Sequence, residues 1–138
     1  MVVYVFGNPD VSYDNRVYEI ANKLKMDFPS ILYVEIKPNQ ELPASMFDGK
    51  HEPIILDTVA GIKKVETFYI TDLDRFSSLT KNTTSVHDYD LGFQLKYLHK
   101  LGKLTQITIV GVPQTEKINY LRIQSIFKKL VAQDIHGS

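Results

Sequence analysis

The chain contains no cysteine in 138 residues. That removes thiol nucleophiles, CxxC redox chemistry and cysteine-ligated zinc together. It also lacks an excess of charge: 16 basic side chains meet 16 acidic ones, for a formal net charge of +0. Non-specific nucleic-acid binders and polybasic membrane-surface proteins both carry a basic surplus, so neither class is expected. Long apolar runs are missing as well. No segment approaches the ~20 residues of a membrane span. The opening run Val2–Phe6 is too short for a signal-peptide core and has no basic start. Asn82-Thr83-Thr84 matches a glycosylation sequon, which means nothing without secretion. A soluble, cytoplasmic monomer with no nucleic-acid or membrane partner is expected. Also absent are GxGxxG, a Walker loop, a GxSxG elbow and HExxH.

What is present fits one domain spanning residues 1–138. A chain of this size buries roughly 70% of its unfolded surface, so one ordinary core suffices. Four apolar, β-branched runs predict strands: Val2–Phe6, Ile31–Ile36, Pro53–Leu56 and Ile107–Val112. Their near-continuous apolar character is that of strands covered on both faces. A fifth run, Val65–Thr71, sets Val65, Thr67 and Tyr69 against Glu66, Phe68 and Ile70. That alternation suits a strand with unequal faces at a sheet edge.

Helical spacing appears three times. It runs through Val17, Ile20, Ala21 and Leu24; through Leu91, Leu95, Leu98 and Leu101; and through Ile118, Leu121, Ile126, Phe127 and Leu130. The polar stretch from Asn39 to Lys50, with Pro43 and Gly49, reads as loop with a short helical turn, and His136-Gly137-Ser138 as a frayed tail. The order β-α-β, β-β, α-β-α predicts a three-layer α/β/α sandwich. Its five-stranded sheet is mostly parallel, with one edge strand antiparallel.

Ligands of open parallel sheets bind beyond the carboxyl ends of the strands, which selects the loops to read. After the first strand comes Gly7-Asn8-Pro9-Asp10-Val11-Ser12-Tyr13-Asp14-Asn15; after the third, Asp57-Thr58-Val59-Ala60-Gly61. If Val65–Thr71 runs antiparallel, the chain from Asp72 climbs back and delivers Thr83–Asp90 to the same rim. Asp14, Asp57 and His87 then converge. Each has an ordinary alternative duty. Asp57 closes an apolar strand and could cap the next turn. Asp14 precedes a helix and could be its N-cap. His87 follows Ser85, which with Asp88 resembles a capping box; a first-turn imidazole is kept neutral by the helix dipole, the form that binds metals. His51, His99 and His136 read as surface histidines. Taken together, two carboxylates and an imidazole leave room for outside ligands, as in a working metal site. Nickel, zinc, iron and manganese all suit such a donor set.

These blocks resemble the hydrogenase maturation endopeptidases. Phe6-Gly7-Asn8-Pro9 followed by Asp14 resembles that family's opening strand and metal-binding acid. Ile54-Ile55-Leu56-Asp57-Thr58-Val59-Ala60-Gly61 resembles its second block. Thr83-Thr84-Ser85-Val86-His87 with Leu91 resembles its third, and Ile109-Val110-Gly111-Val112-Pro113 its final strand. The likeness runs in order over nearly the whole chain. It departs at Tyr13, where the family has a first acid, and at Asn15-Arg16-Val17, where it has glycines.

The resemblance implies an endopeptidase that trims the C-terminal extension of a hydrogenase large-subunit precursor loaded with nickel. The nickel belongs to the substrate and is sensed by Asp14, Asp57 and His87. Another divalent metal would suit the same donors, and the same three residues carry the catalytic assignment. Cleavage could use a metal-polarised carbonyl or metal-bound water, or a carboxylate as general base; the residues leave both open. Gly7 and Asn8 would shape the first loop, and Gly61 the turn after Asp57. Two other readings stand beside this one. The chain could be a diverged member that binds precursor or nickel without cutting, or, from the α/β pattern alone, a flavodoxin-like nucleotide-binding domain.

Overall fold

Every apolar run assigned to a strand pairs into one sheet. The computed structural model describes residues 1–7, 15–37, 40–80 and 91–136. The strands are β1 (Val2–Phe6), β2 (Leu32–Ile36), β3 (Ile54–Val59), β4 (Glu66–Tyr69) and β5 (Thr108–Pro113). They lie in the order β2-β1-β3-β5-β4. All pairings are parallel except β4 with β5, which is antiparallel. The helices are α1 (Arg16–Asp27), α2 (Leu73–Thr80), α3 (Leu91–Lys100) and α4 (Tyr120–His136), with a 3-10 turn at Ala44–Phe47. This is the expected three-layer α/β/α sandwich with an antiparallel edge strand.

Strand alternation sends successive side chains to opposite faces, and two cores result. One face carries Val3, Val5, Ile54, Leu56, Val110 and Val112 beneath the α1 residues Val17, Ile20 and Leu24 and the α4 residues Ile123 and Phe127. The other carries Tyr4, Phe6, Ile55, Val59, Phe68 and Ile109 beneath Leu73 and Phe76 of α2 and Leu91 and Leu95 of α3.

Several expectations shift. β3 does not stop at Leu56. It continues through Asp57 to Val59, because β-branched Thr58 and Val59 pair with Val112 and Pro113 of an equally long β5. β2 is not covered on both faces: it is the outer strand beyond β1, and Leu32 is 61% exposed. Its apolar run reflects edge packing rather than full burial. The run Val65–Thr71 is cut short when Ile70–Asp72 turns into a 3-10 helix, with the Tyr69 backbone N–H donating to Asp72 Oδ2 at 2.9 Å. α2 then follows as a helix the spacing did not reveal, seated by Leu73 and Phe76.

Candidate functional site

Asp57 is the fourth residue of β3, and alternation puts it on the face of Ile55 and Val59, under α2 and α3. Parallel pairing aligns it with Phe6, the last residue of β1, on one side and with Gly111 of β5 on the other. Thr58 and Val59 therefore extend past the end of β1. The strand order reverses between β1 and β3, since β1 leads to β2 on one flank and β3 returns on the other. That reversal is the switch point at which doubly wound sheets open a crevice. Asp57 lies there, inside the strand rather than after it, and is half-buried.

The neighbours of Asp57 are set by size. A Cβ on Gly111 would meet Phe68 Cε2 at 2.9 Å and Val59 Cγ2 at 2.9 Å. Glycine at 111 thus lets two apolar side chains close the β5 side of the carboxylate. On the β1 side its aligned neighbour is Phe6, buried on the same face, after which the chain leaves the sheet at Gly7.

The described flanks of the other two loops arrive at this rim. β4 starts level with Gly111 and ends level with Thr108, so it descends to the amino-terminal rim. α2 climbs back: Leu79 Cδ2 lies 3.5 Å from the Cβ position of Gly61, in the turn after β3. Gly61 adopts φ 81°, the left-handed conformation expected of it there. α3 runs antiparallel to α2, tied by Lys96 Nζ to Asp74 Oδ1 at 2.8 Å, and so begins at the same end. On the first loop, Tyr18 donates its hydroxyl to Gly7 O at 2.8 Å. Asp14 and His87 themselves lie outside the described residues, as do Asn8, Tyr13 and the Ser85–Asp88 box. The described start of α1 is at Asn15, which makes no side-chain cap bond. Among the described residues, no three His, Asp or Glu side chains gather closely enough to hold an ion.

Sequence reasoning noted Arg16 only as a departure. The side chain is a clamp: Nη1 donates to Pro113 O at 2.6 Å and to Glu116 O at 2.8 Å, joining the first turn of α1 to the loop leaving β5. A readable signal existed, because a cation in the first turn opposes the helix dipole and needs acceptors from elsewhere. His99 is also more than a surface residue. Its Nδ1 sits 2.8 Å from Leu104 O, bracing the turn after α3. His51 borders a cavity of about 160 Å³ with Glu52 and Lys103, at the amino-terminal ends of β3 and β5 and away from Asp57. The large described pKa shifts sit on the opposite face from Asp57. Burial, with the Asp27 carboxylate, pushes the Tyr33 phenol up to about 12. Burial and the hydrogen bond to Asp27 push Tyr120 higher still.

No protein-family model matches the sequence, and no curated protein does. Solved structures do match. An endopeptidase from Escherichia coli superposes with a TM-score of 0.59 and 17% identity, over 99% of this chain and 94% of its own. The NiFe hydrogenase maturation protease HybD from Thermococcus kodakarensis gives 0.56 and 16%, over 94% and 99%. An uncharacterized protein from Wolinella succinogenes gives 0.57 and 14%, over 96% of each chain. At these identities the likeness establishes the fold alone, which the Thermococcus protease shares over 99% of its own chain. No described helix is long and apolar enough to cross a membrane.

Proposed function

We propose that the chain is an endopeptidase of the hydrogenase maturation type. It removes the C-terminal extension of a nickel-loaded large-subunit precursor, and Asp57 reads that nickel together with Asp14 and His87. The observation that supports this most is the place of Asp57: a carboxylate at the β1/β3 switch point, level with the end of β1. A half-buried carboxylate is stabilised in its charged form by a nearby cation. Asp57 alone is one donor, so the reading needs both partners from the neighbouring loops. Such a site would favour precursor carrying metal and ignore the empty form, which offers the carboxylates nothing to bind.

The chemistry follows from what these side chains can do. Carboxylates and a neutral imidazole are ligands and proton acceptors. Asp57, Asp14 and His87 would hold the precursor's metal-bearing end in the crevice, and one of the carboxylates could take a proton from the attacking water. The test is a cleavage assay on nickel-loaded precursor with the wild type, Asp57→Asn and His87→Ala. Trimming by the wild type, lost in both variants, supports the reading; equal trimming removes the substituted residue from the mechanism.

One observation favours a second reading, a non-catalytic relative that binds precursor or nickel without cutting. Arg16 stands where the family has glycine and pins the loop after β5, so the exit of the first loop is built differently. Nickel titration beside the cleavage assay separates the two: binding without cleavage favours the second. A flavodoxin-like nucleotide-binding role rests on fold alone; flavin or nucleotide in the purified protein would revive it.

A further inference from the structure

Val17 of α1 is fully buried against the sheet. A helix turns by roughly 100° per residue, so the residues before and after Val17 point to its two flanks. Both reach a backbone carbonyl at the carboxyl rim. Tyr18 donates its hydroxyl to Gly7 O at 2.8 Å. Gly7 follows Phe6, the β1 residue paired with Asp57. Arg16 Nη1 donates to Pro113 O at 2.6 Å and to Glu116 O at 2.8 Å. Pro113 closes β5 and pairs with Val59, beyond Asp57 on the same strand. β1 and β5 are the two neighbours of β3. One helical turn therefore grips the strand exits on both sides of the strand that carries Asp57.

We infer that Arg16 and Tyr18 are positioning residues: together they form a bracket that sets the spacing of the β1 and β5 exits, and with it the width of the crevice at Asp57. The inference rests on the endopeptidase reading above. Both side chains are engaged with backbone carbonyls, and α1 covers the face opposite Asp57. They act on the reaction through the backbone they hold. Cleavage is sensitive to such placement, since a shift of ~1 Å in a reacting group can cost about 100-fold in rate. The two arms differ in kind. Tyr18 supplies a neutral hydroxyl bond, which phenylalanine loses while keeping the ring. Arg16 supplies two charge-assisted bonds from one nitrogen, and a lysine ammonium can replace part of that as a point-charge donor.

The experiment measures cleavage of nickel-loaded large-subunit precursor by the full chain, with Tyr18→Phe, Arg16→Ala and Arg16→Lys made singly. Tyr120→Phe is the control, since it removes a hydroxyl bond at the other end of α1, where Asp27 accepts it. Tyr18→Phe and Arg16→Ala are each expected to lower kcat about tenfold, with KM for the precursor near the wild-type value. Arg16→Lys should recover most of that loss, and Tyr120→Phe should cut like the wild type. If Arg16→Ala fails to fold, Tyr18→Phe against Tyr120→Phe decides. Wild-type kcat in Tyr18→Phe and Arg16→Ala, with Asp57→Asn still impaired, overturns the bracket and leaves the endopeptidase reading standing. An equal fall in Tyr120→Phe also overturns it, because a general loosening of α1 would then explain the loss. A wild type that neither binds nor cuts the precursor overturns both.

Discussion

The two faces of the sheet are held by different means. Under α1 and α4, polar side chains lock the apolar layer in place. Tyr120 donates to Asp27 Oδ2 at 2.6 Å and Gln124 to the same oxygen at 3.1 Å. Arg122 Nε donates to Val65 O at 2.8 Å, and Arg16 holds two carbonyls beyond β5. Under α2 and α3 the described ties include two ion pairs between neighbouring elements, Lys96 to Asp74 and Arg75 to Glu66, and a part-buried hydroxyl pair, Tyr4 with Ser45 at 2.6 Å. That second face holds Asp57. Adjacent residues of β3 show the division: Thr58, on the locked face, is 6% exposed, whereas Asp57, on the other, is only half-buried. Both faces bury an apolar layer, and the second also carries a half-buried carboxylate within its central strand.

The largest expected effect tests that division through stability. Phe127 is fully buried on the locked face and packs its ring 6.3 Å from that of Phe28. Phe127→Ala should cost about 3–5 kcal/mol, as cavity-forming aromatic truncations do. Chemical denaturation would read it as a lower midpoint with an unchanged slope. The folded fraction should still respond to nickel-loaded precursor like the wild type. A variant with altered metal response would break the comparison, because cohesion and chemistry would then share a face. Next comes Asp57→Asn, which keeps the volume and removes the charge. Precursor cleavage should fall at least about 100-fold, with little change in thermal midpoint. A large loss of stability and no loss of cleavage would make Asp57 a structural residue.

Strands declared themselves where burial was two-sided, as in Val2–Phe6, which matches β1 residue for residue. The end of β3 was misplaced because a carboxylate looks like a loop residue until the pairing of Thr58 and Val59 with β5 is known. α2 was missed because eight residues beginning Leu73-Asp74-Arg75-Phe76 give too few turns for periodicity to register. The choice of Asp57 came from its place after an apolar run, which is local information. The role of Arg16 was hidden, since its acceptors lie about a hundred residues away along the chain. Asp14 and His87 fall outside the described residues, and the proposal that they meet Asp57 is argued from chain order and from the flanks of their loops.

Arg16 gives a smaller, sharper test, because it is the lock nearest the site. Removing two charge-assisted bonds to backbone carbonyls should cost about 1.5–3 kcal/mol. In Arg16→Ala, amide exchange between Gln114 and Asn119 should speed up more than exchange in β1 or β3. If exchange at that loop is unchanged, the clamp does not hold it, and the locked face has one lock fewer.

The smallest effect isolates a single lock by pH. In the folded chain burial and the nearby Asp27 carboxylate push the Tyr33 phenol up to about 12, and burial and the hydrogen bond to Asp27 raise Tyr120 further. An unfolded tyrosine titrates near 10. The folded state thus holds these protons more tightly than the unfolded state. Stability from them is complete below about pH 10 and drains as pH rises through the folded values. Tyr120→Phe removes one of the two groups and leaves Asp27 with Gln124 as donor. At pH 7 the loss should be about 0.5–1.5 kcal/mol, the net worth of one hydrogen bond. Between pH 10 and 12 the urea midpoint of the variant should fall less steeply than that of the wild type, with the remaining slope due to Tyr33. Parallel curves for the two proteins would mean that the Tyr120 proton is not coupled to folding. The hydroxyl would then be a bystander to the α1–α4 packing, and the cohesion of that face would be apolar alone.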